Sequence, residues 1–240
     1  MRGLWDKEEV LRYLGASHSD TALDGMIARA QEEIERASQP RQTYRLFPAD
    51  VDDTGVSLRG ARLESSTLAA HLKGCREAYL FAFTLGPGVD RVIKRYTVTE
   101  MPLVPVLQAC AAAWTEALAD QAQTRLEAEA KERGLYLRPR YSPGYGDFPL
   151  TAQRFLFDAL EVTKRTGITL TESCLMLPSK SITAVIGLSP DPLFPARAGV
   201  IPRRPRRTAS SRPLPRTRGG DPRWRRWRKS RPRSSPHTRG

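Results

Sequence analysis

Apolar residues fall in two rhythms along this chain, one helical and one alternating. Val10, Leu11 and Leu14 share one face of a predicted short helix over 6–14. A second helix is predicted from Asp20 to about Ala37, because Leu23, Met26, Ile27, Ala30 and Ile34 recur at i, i+3 and i+4. Pro40 closes it. From Tyr44 and Leu46 to Val56 and Leu58 the apolar positions alternate around Asp52-Asp53-Thr54-Gly55, a turn signal, which predicts a hairpin. Residues 66–74 predict a third helix, stopped by Gly74.

The run from Ala78 to Leu85 is almost continuously apolar and predicts a buried central strand. Gly86-Pro87-Gly88 breaks it, and a short helix follows over 88–97. A long alanine-rich helix is predicted over 103–133, since alanine favours helix and its small side chain lets neighbours pack closely. Residues 138–149 are a loop, and 151–164 a helix started by Thr151 and ended by Gly167. Two strands, Thr169–Leu177 and Ser181–Leu188, are separated by Pro178-Ser179-Lys180. Helices and strands do not alternate as repeated βαβ units. The expected class is therefore α+β: a mainly antiparallel twisted sheet packed with several helices, one of them long and alanine-rich.

Charge divides the chain in two. Of its 39 Lys and Arg residues 16 lie in 195–240, with 1 of the 26 acidic residues. Residues 1–194 keep 23 bases against 25 acids, a net of −2, and give no reason to expect nucleic acid. The expected organisation is a domain over 1–194 and a disordered basic tail over 195–240, rich in Arg, Pro and Ser. Pro195, Pro215 and Pro236 each open a similar word ending in glycine, and two periods span 41 residues. One period is about 61 nucleotides, not a multiple of three, so a DNA repeat would change frame at each copy. The tail reads as frameshifted or repeat-derived. The competing reading is a nucleic-acid-binding tail, with Trp224 and Trp227 stacking among arginines. No stretch approaches the roughly 20 apolar residues of a membrane span, and the N-terminus lacks a signal-type apolar run, so a cytoplasmic protein is expected. Cys75, Cys110 and Cys174 are scattered, without metal-ligand spacing, and read as buried hydrophobes.

The loop Arg140-Tyr141-Ser142-Pro143-Gly144-Tyr145 carries the densest chemistry. Pro143 and Pro139 stiffen it, Gly144 lets a ligand approach the main chain, Arg140 offers a fork for a carboxylate, and Tyr145 offers a flat ring with one polar tip. That set suits a small zwitterionic or anionic ligand with a flat ring. It equally suits an ordinary rigid turn with an exposed arginine. Glu116, inside the alanine-rich helix, reads either as a site acid or as part of a solvated face. His18 and His71 read as surface or helix residues.

Arg140–Tyr145 resembles the R-x-x-x-G-Y loop of the activation domain of cobalamin-dependent methionine synthases. The stretch from Leu160 to Ser173 resembles the same family's L-E-V-x-K-x-T-G-x-x-L-T-E-S run, and Trp114–Asp120 its A-E-A-x-A-E segment. Glu8–Gly15 looks like the start of free-standing forms of that domain. The resemblance implies that the loop binds S-adenosylmethionine. Arg140 would meet the methionine carboxylate and Glu116 the amino group. Ser142, Gly144 and Tyr145 would line the ligand. The pattern departs at Gly146-Asp147-Phe148, and the family's ligand-contacting N-terminal aspartate and late tyrosine have no counterpart.

The same resemblance implies an accessory reactivation module that does not synthesise methionine alone. Its cofactors would be S-adenosylmethionine and a cobalamin held by a partner module. An electron-donor protein would be a second partner. No general base is evident, and the work required is to hold a sulfonium methyl within reach of cobalt.

Overall fold

The computed structural model describes residues 5–192. The tail expected over 195–240 lies outside them. Two short helices open the chain: α1 (Lys7–Leu14) and α2 (Thr21–Ala37). Each starts at an aspartate that takes backbone N–H groups its first turn leaves unpaired. Asp6 accepts from Glu8 N at 2.8 Å, and Asp20 from Leu23 N at 2.8 Å. Then come β1 (Arg41–Val51), β2 (Gly55–Leu58), β3 (Ala61–Glu64) and α3 (Ser66–His71). The Asp52–Gly55 hairpin forms where the alternation predicts it, and β3 adds a strand the sequence did not announce.

With β5 (Tyr136–Leu137) at one edge, β4 (Glu77–Thr84) and β8 (Ser181–Ser189) form the centre of a six-stranded sheet ordered β3-β2-β1-β4-β8-β5, every pairing antiparallel. Tyr79, Phe81 and Phe83 of β4 point to one face. There they meet α1, α2, α4 (Pro87–Thr99) and the 29-residue α5 (Val104–Glu132). Ala78, Leu80 and Ala82 point to the other, under α3, α6 (Gln153–Leu160) and α7 (Val162–Thr166). A strand covered on both sides reads as one apolar run. All three cysteines are buried and free.

The helix expected over 151–164 is broken. Glu161 adopts the left-handed region at φ 51°, which ends α6 and starts α7 in a new direction. Its carboxylate forms exposed ion pairs with Lys164 and Arg165. The strand expected over Thr169–Leu177 is also corrected. Only β6 (Thr169–Leu170) and β7 (Met176–Leu177) pair, as a separate two-stranded ribbon. Thr171 turns the chain instead. Its hydroxyl accepts from Leu175 N at 3.0 Å, and its carbonyl accepts from Cys174 N at 3.0 Å. Hydroxyl side chains compete with the ladder in this way. The outer side of β8 is covered. β5 (Tyr136–Leu137) pairs with Ser189 and Leu188, and Tyr141 bridges to Val185.

Gly187 of β8 sits under α3, and a Cβ there would fall 2.6 Å from both Cys75 Sγ and Leu72 Cδ2. Gly187→Ala is expected to destabilise the domain by about 1–3 kcal/mol, the usual cost of overfilling a packed core. Urea unfolding with an unchanged slope and a lower midpoint is the expected result; an unchanged midpoint would show that the space is there.

Candidate functional site

The chain leaving α5 runs along β8. Arg138 N donates to Gly187 O at 2.8 Å, and Tyr141 exchanges two 2.9 Å backbone bonds with Val185. This zip carries Arg140 past the face of α5. Glu116, Asp120 and Gln123 lie there one and two turns apart, so they line up on one side of the helix. Arg140 Nη2 is 2.8 Å from Glu116 Oε2 and 2.7 Å from Asp120 Oδ1, and Nη1 donates to Gln123 Oε1 at 3.1 Å. The Arg140 side chain is only 11% exposed, so it is not the exposed arginine of an ordinary turn. Glu116 is 23% exposed and is not part of a solvated face.

Burial pushes the Glu116 carboxyl up from its ordinary value, Arg140 pulls it back, and the nearby charges of Asp120 and Glu9 raise it again. Two phenols border it. Tyr13 of α1 and Tyr145 of the loop are both raised, first by burial and next by the charge of Glu116. Arg12 lies over the Tyr13 ring at 4.4 Å and pairs with Glu9. The corner thus holds two acids against one arginine at its centre. It matches one anion and one cation carried close together on a ligand with an apolar body.

The loop beyond Arg140 is closed on itself. Gly144 N donates to Phe148 O at 2.8 Å, Phe148 N to Tyr145 O at 2.9 Å, and Tyr145 N to Ser142 O at 3.2 Å. Gly144 is exposed at φ 97°, a conformation that costs any residue with a Cβ. Pro143 and Phe148 are buried under the turn. Asp147 fastens it to α3. Its carboxylate accepts from Ser66 N at 2.8 Å, Ser66 Oγ at 2.6 Å and Thr67 N at 3.1 Å, and from the Ser65 and Thr67 hydroxyls. These donors hold its carboxyl well below the usual carboxylate range. His71, read from the sequence as a surface or helix residue, is in α3 but partly buried. Its Nε2–H donates to Pro139 O at 2.8 Å, and its ring lies against Tyr141 at 4.9 Å. Burial lowers its pKa.

The fold therefore brings Glu116 and Arg140 together and holds Ser142, Gly144 and Tyr145 in one turn beside them. Sequence reasoning missed Asp120, Gln123, Tyr13 and Asp147. The first two were findable, since they follow Glu116 at i+4 and i+7. Among the described residues no group of three or more His, Cys, Asp or Glu could hold a metal ion, and no helix is long and apolar enough to cross a membrane.

This is an α+β module with a charged corner built by one long helix and one rigid loop. Residues 73–194 match the family described as vitamin B12 dependent methionine synthase, activation domain. The chain belongs to that family. Its fold is similar to that of a crystal structure of the MetH reactivation domain bound to AdoHcy. The TM-score is 0.60 and the identity 18%, over 79% of this chain and 75% of the other. Among curated proteins none matches.

Asp147→Ala is expected to free the turn from α3 and raise amide exchange from Gly144 to Phe148. A carboxyl held low in the folded state contributes stability above its unfolded pKa. That contribution is lost only as pH falls through the folded value, so the tie holds at every pH above the ordinary carboxylate range. Exchange rates in the variant equal to the parent's at neutral pH would contradict this.

Proposed function

We propose that residues 1–194 bind S-adenosylmethionine and present its methyl group to a cobalamin held by a partner module of methionine synthase. The observation that carries the reading is the Glu116–Arg140 corner, with its adjoining rigid turn Ser142–Tyr145. Arg140 suits the methionine carboxylate, Glu116 the ammonium, and the exposed main chain at Gly144 with the Tyr145 ring suits the adenosine. The AdoHcy in the similar reactivation domain supports this choice, since that molecule differs from S-adenosylmethionine by one methyl on sulfur.

The residues fit a methyl donor better than they fit cobalamin. Among the described residues His71 is partly buried against Tyr141 with its Nε2–H on Pro139 O, and His18 is exposed beside Ser17. Cobalamin would be held by a partner module and, once reduced by a donor protein, would supply the nucleophile that takes the methyl from the sulfonium. Sulfur keeps the electron pair of the broken bond and leaves as the thioether. This chain supplies position and charge. The corner carries one more acid than arginine, which offsets the ligand's net positive charge, and its loop holds the ligand in place. The module is an accessory to the synthase.

The full chain is expected to bind S-adenosylmethionine in titration calorimetry. Arg140→Ala should weaken binding by roughly 1.5–3 kcal/mol, the range for a hydrogen bond to a charged group. No binding by the parent, or equal binding by the variant, would sink the assignment.

A further inference from the structure

Arg140 is already occupied in the free protein. Its Nη2 faces Glu116 at 2.8 Å and Asp120 at 2.7 Å, and its Nη1 serves Gln123. A guanidinium has one N–H on Nε and a pair on each terminal nitrogen. Nη2 donates one hydrogen bond to Glu116, and Asp120 lies against the same nitrogen as an ion pair, so the space around Nη2 is filled by two carboxylates. A carboxylate can grip an arginine two-pronged through Nη1 with Nη2 or through Nε with Nη2, and both grips need Nη2. One of the two acids has to let go before a ligand carboxylate can bind that way.

Glu116 is the acid that moves. It is the acid assigned above to the ligand's ammonium, and it holds Arg140 by a single hydrogen bond. Asp120, one turn further along α5, has its oxygen on Arg140. We infer that Asp120 is the positioning residue of the site. It keeps Arg140 in place while Glu116 exchanges Nη2 for the ligand's ammonium and the ligand's carboxylate takes the freed fork. The inference rests on the S-adenosylmethionine reading above. The exchange conserves charge at both ends: Arg140 trades one carboxylate for another, and Glu116 trades one cation for another. A ligand with only one of the two charges leaves a half-buried partner unpaired, which is the costly outcome. The corner therefore demands both ends of an α-amino acid together, and Gln123 and Asp120 are what make Arg140 stay for the exchange.

The test is calorimetry on the full chain with two ligands. One is S-adenosylmethionine; the other is methylthioadenosine, which keeps the adenosine and lacks the carboxylate, the ammonium and the sulfonium charge. Asp120→Ala is expected to weaken the first by about ten-fold or more and to leave the second within about two-fold, because only the first uses the charged hydrogen bonds of Arg140. Asp120→Asn, which keeps the shape, is expected to fall between and serves if Asp120→Ala does not fold. Equal losses for both ligands would make Asp120 a part of the fold only and overturn the inference. Tighter or unchanged binding of S-adenosylmethionine would overturn it too, by making Asp120 a competitor or a bystander. A parent that binds neither ligand overturns the functional reading itself.

Discussion

From Ala78 to Phe83 β4 has no polar face, so the sheet exists only where both sides of that strand are covered. α1, α2, α4 and α5 cover one side, and α3, α6 and α7 the other. The long helix is the largest piece of this cover. α5 turns Leu107, Trp114 and Leu126 into the core, which leaves Glu116, Asp120 and Gln123 on a flank. The site is thus a by-product of how the sheet is covered. Its acids sit where a packed helix runs out of core to face, and its arginine arrives on the strip of chain that pairs with β8.

Burial is what gives the corner its strength. Three α5 side chains around one guanidinium on an open surface would contribute little. At 11% exposure Arg140 has few water contacts to fall back on, so each neighbour matters and each vacancy is costly. Two phenols and the raised Glu116 carboxyl report the same partly dry surroundings. A corner of this kind is selective because it is poorly hydrated, and selective for charge pattern more than for shape.

Much of the fold was legible in the residues. The α2 and α5 periodicities, the Asp52–Gly55 turn and the two-faced apolar run of β4 all appear where the pattern puts them. The misses have local causes. Nothing in Glu161 itself announces a left-handed residue, so the break between α6 and α7 was hidden in a continuous helical pattern. Thr171 and Ser173 alternate like strand residues, yet their hydroxyls fold the chain back. β5 is two residues long and exists only because β8 offers an edge. At the site, Arg140 and Glu116 were legible through the family's motifs. Asp120 and Gln123 were not singled out, because a helix face has meaning only once it is known what lies against it. Tyr13 reaches the site from α1, distant in sequence, and Asp147, though in the loop itself, has meaning only once α3 is known to lie against it.

The fastening of the ligand loop has a kinetic consequence. Gly144 to Phe148 is closed by its own backbone bonds, tied to α3 through Asp147 and zipped to β8 through Tyr141. No lid has to swing before a small molecule enters. What changes on entry is the orientation of one carboxylate side chain, an event of the rotamer class, far quicker than loop or domain motion. Under the proposed function, loading with the methyl donor would then be a matter of diffusion and concentration. The encounter with the cobalamin-bearing partner, and not loading, would set the pace.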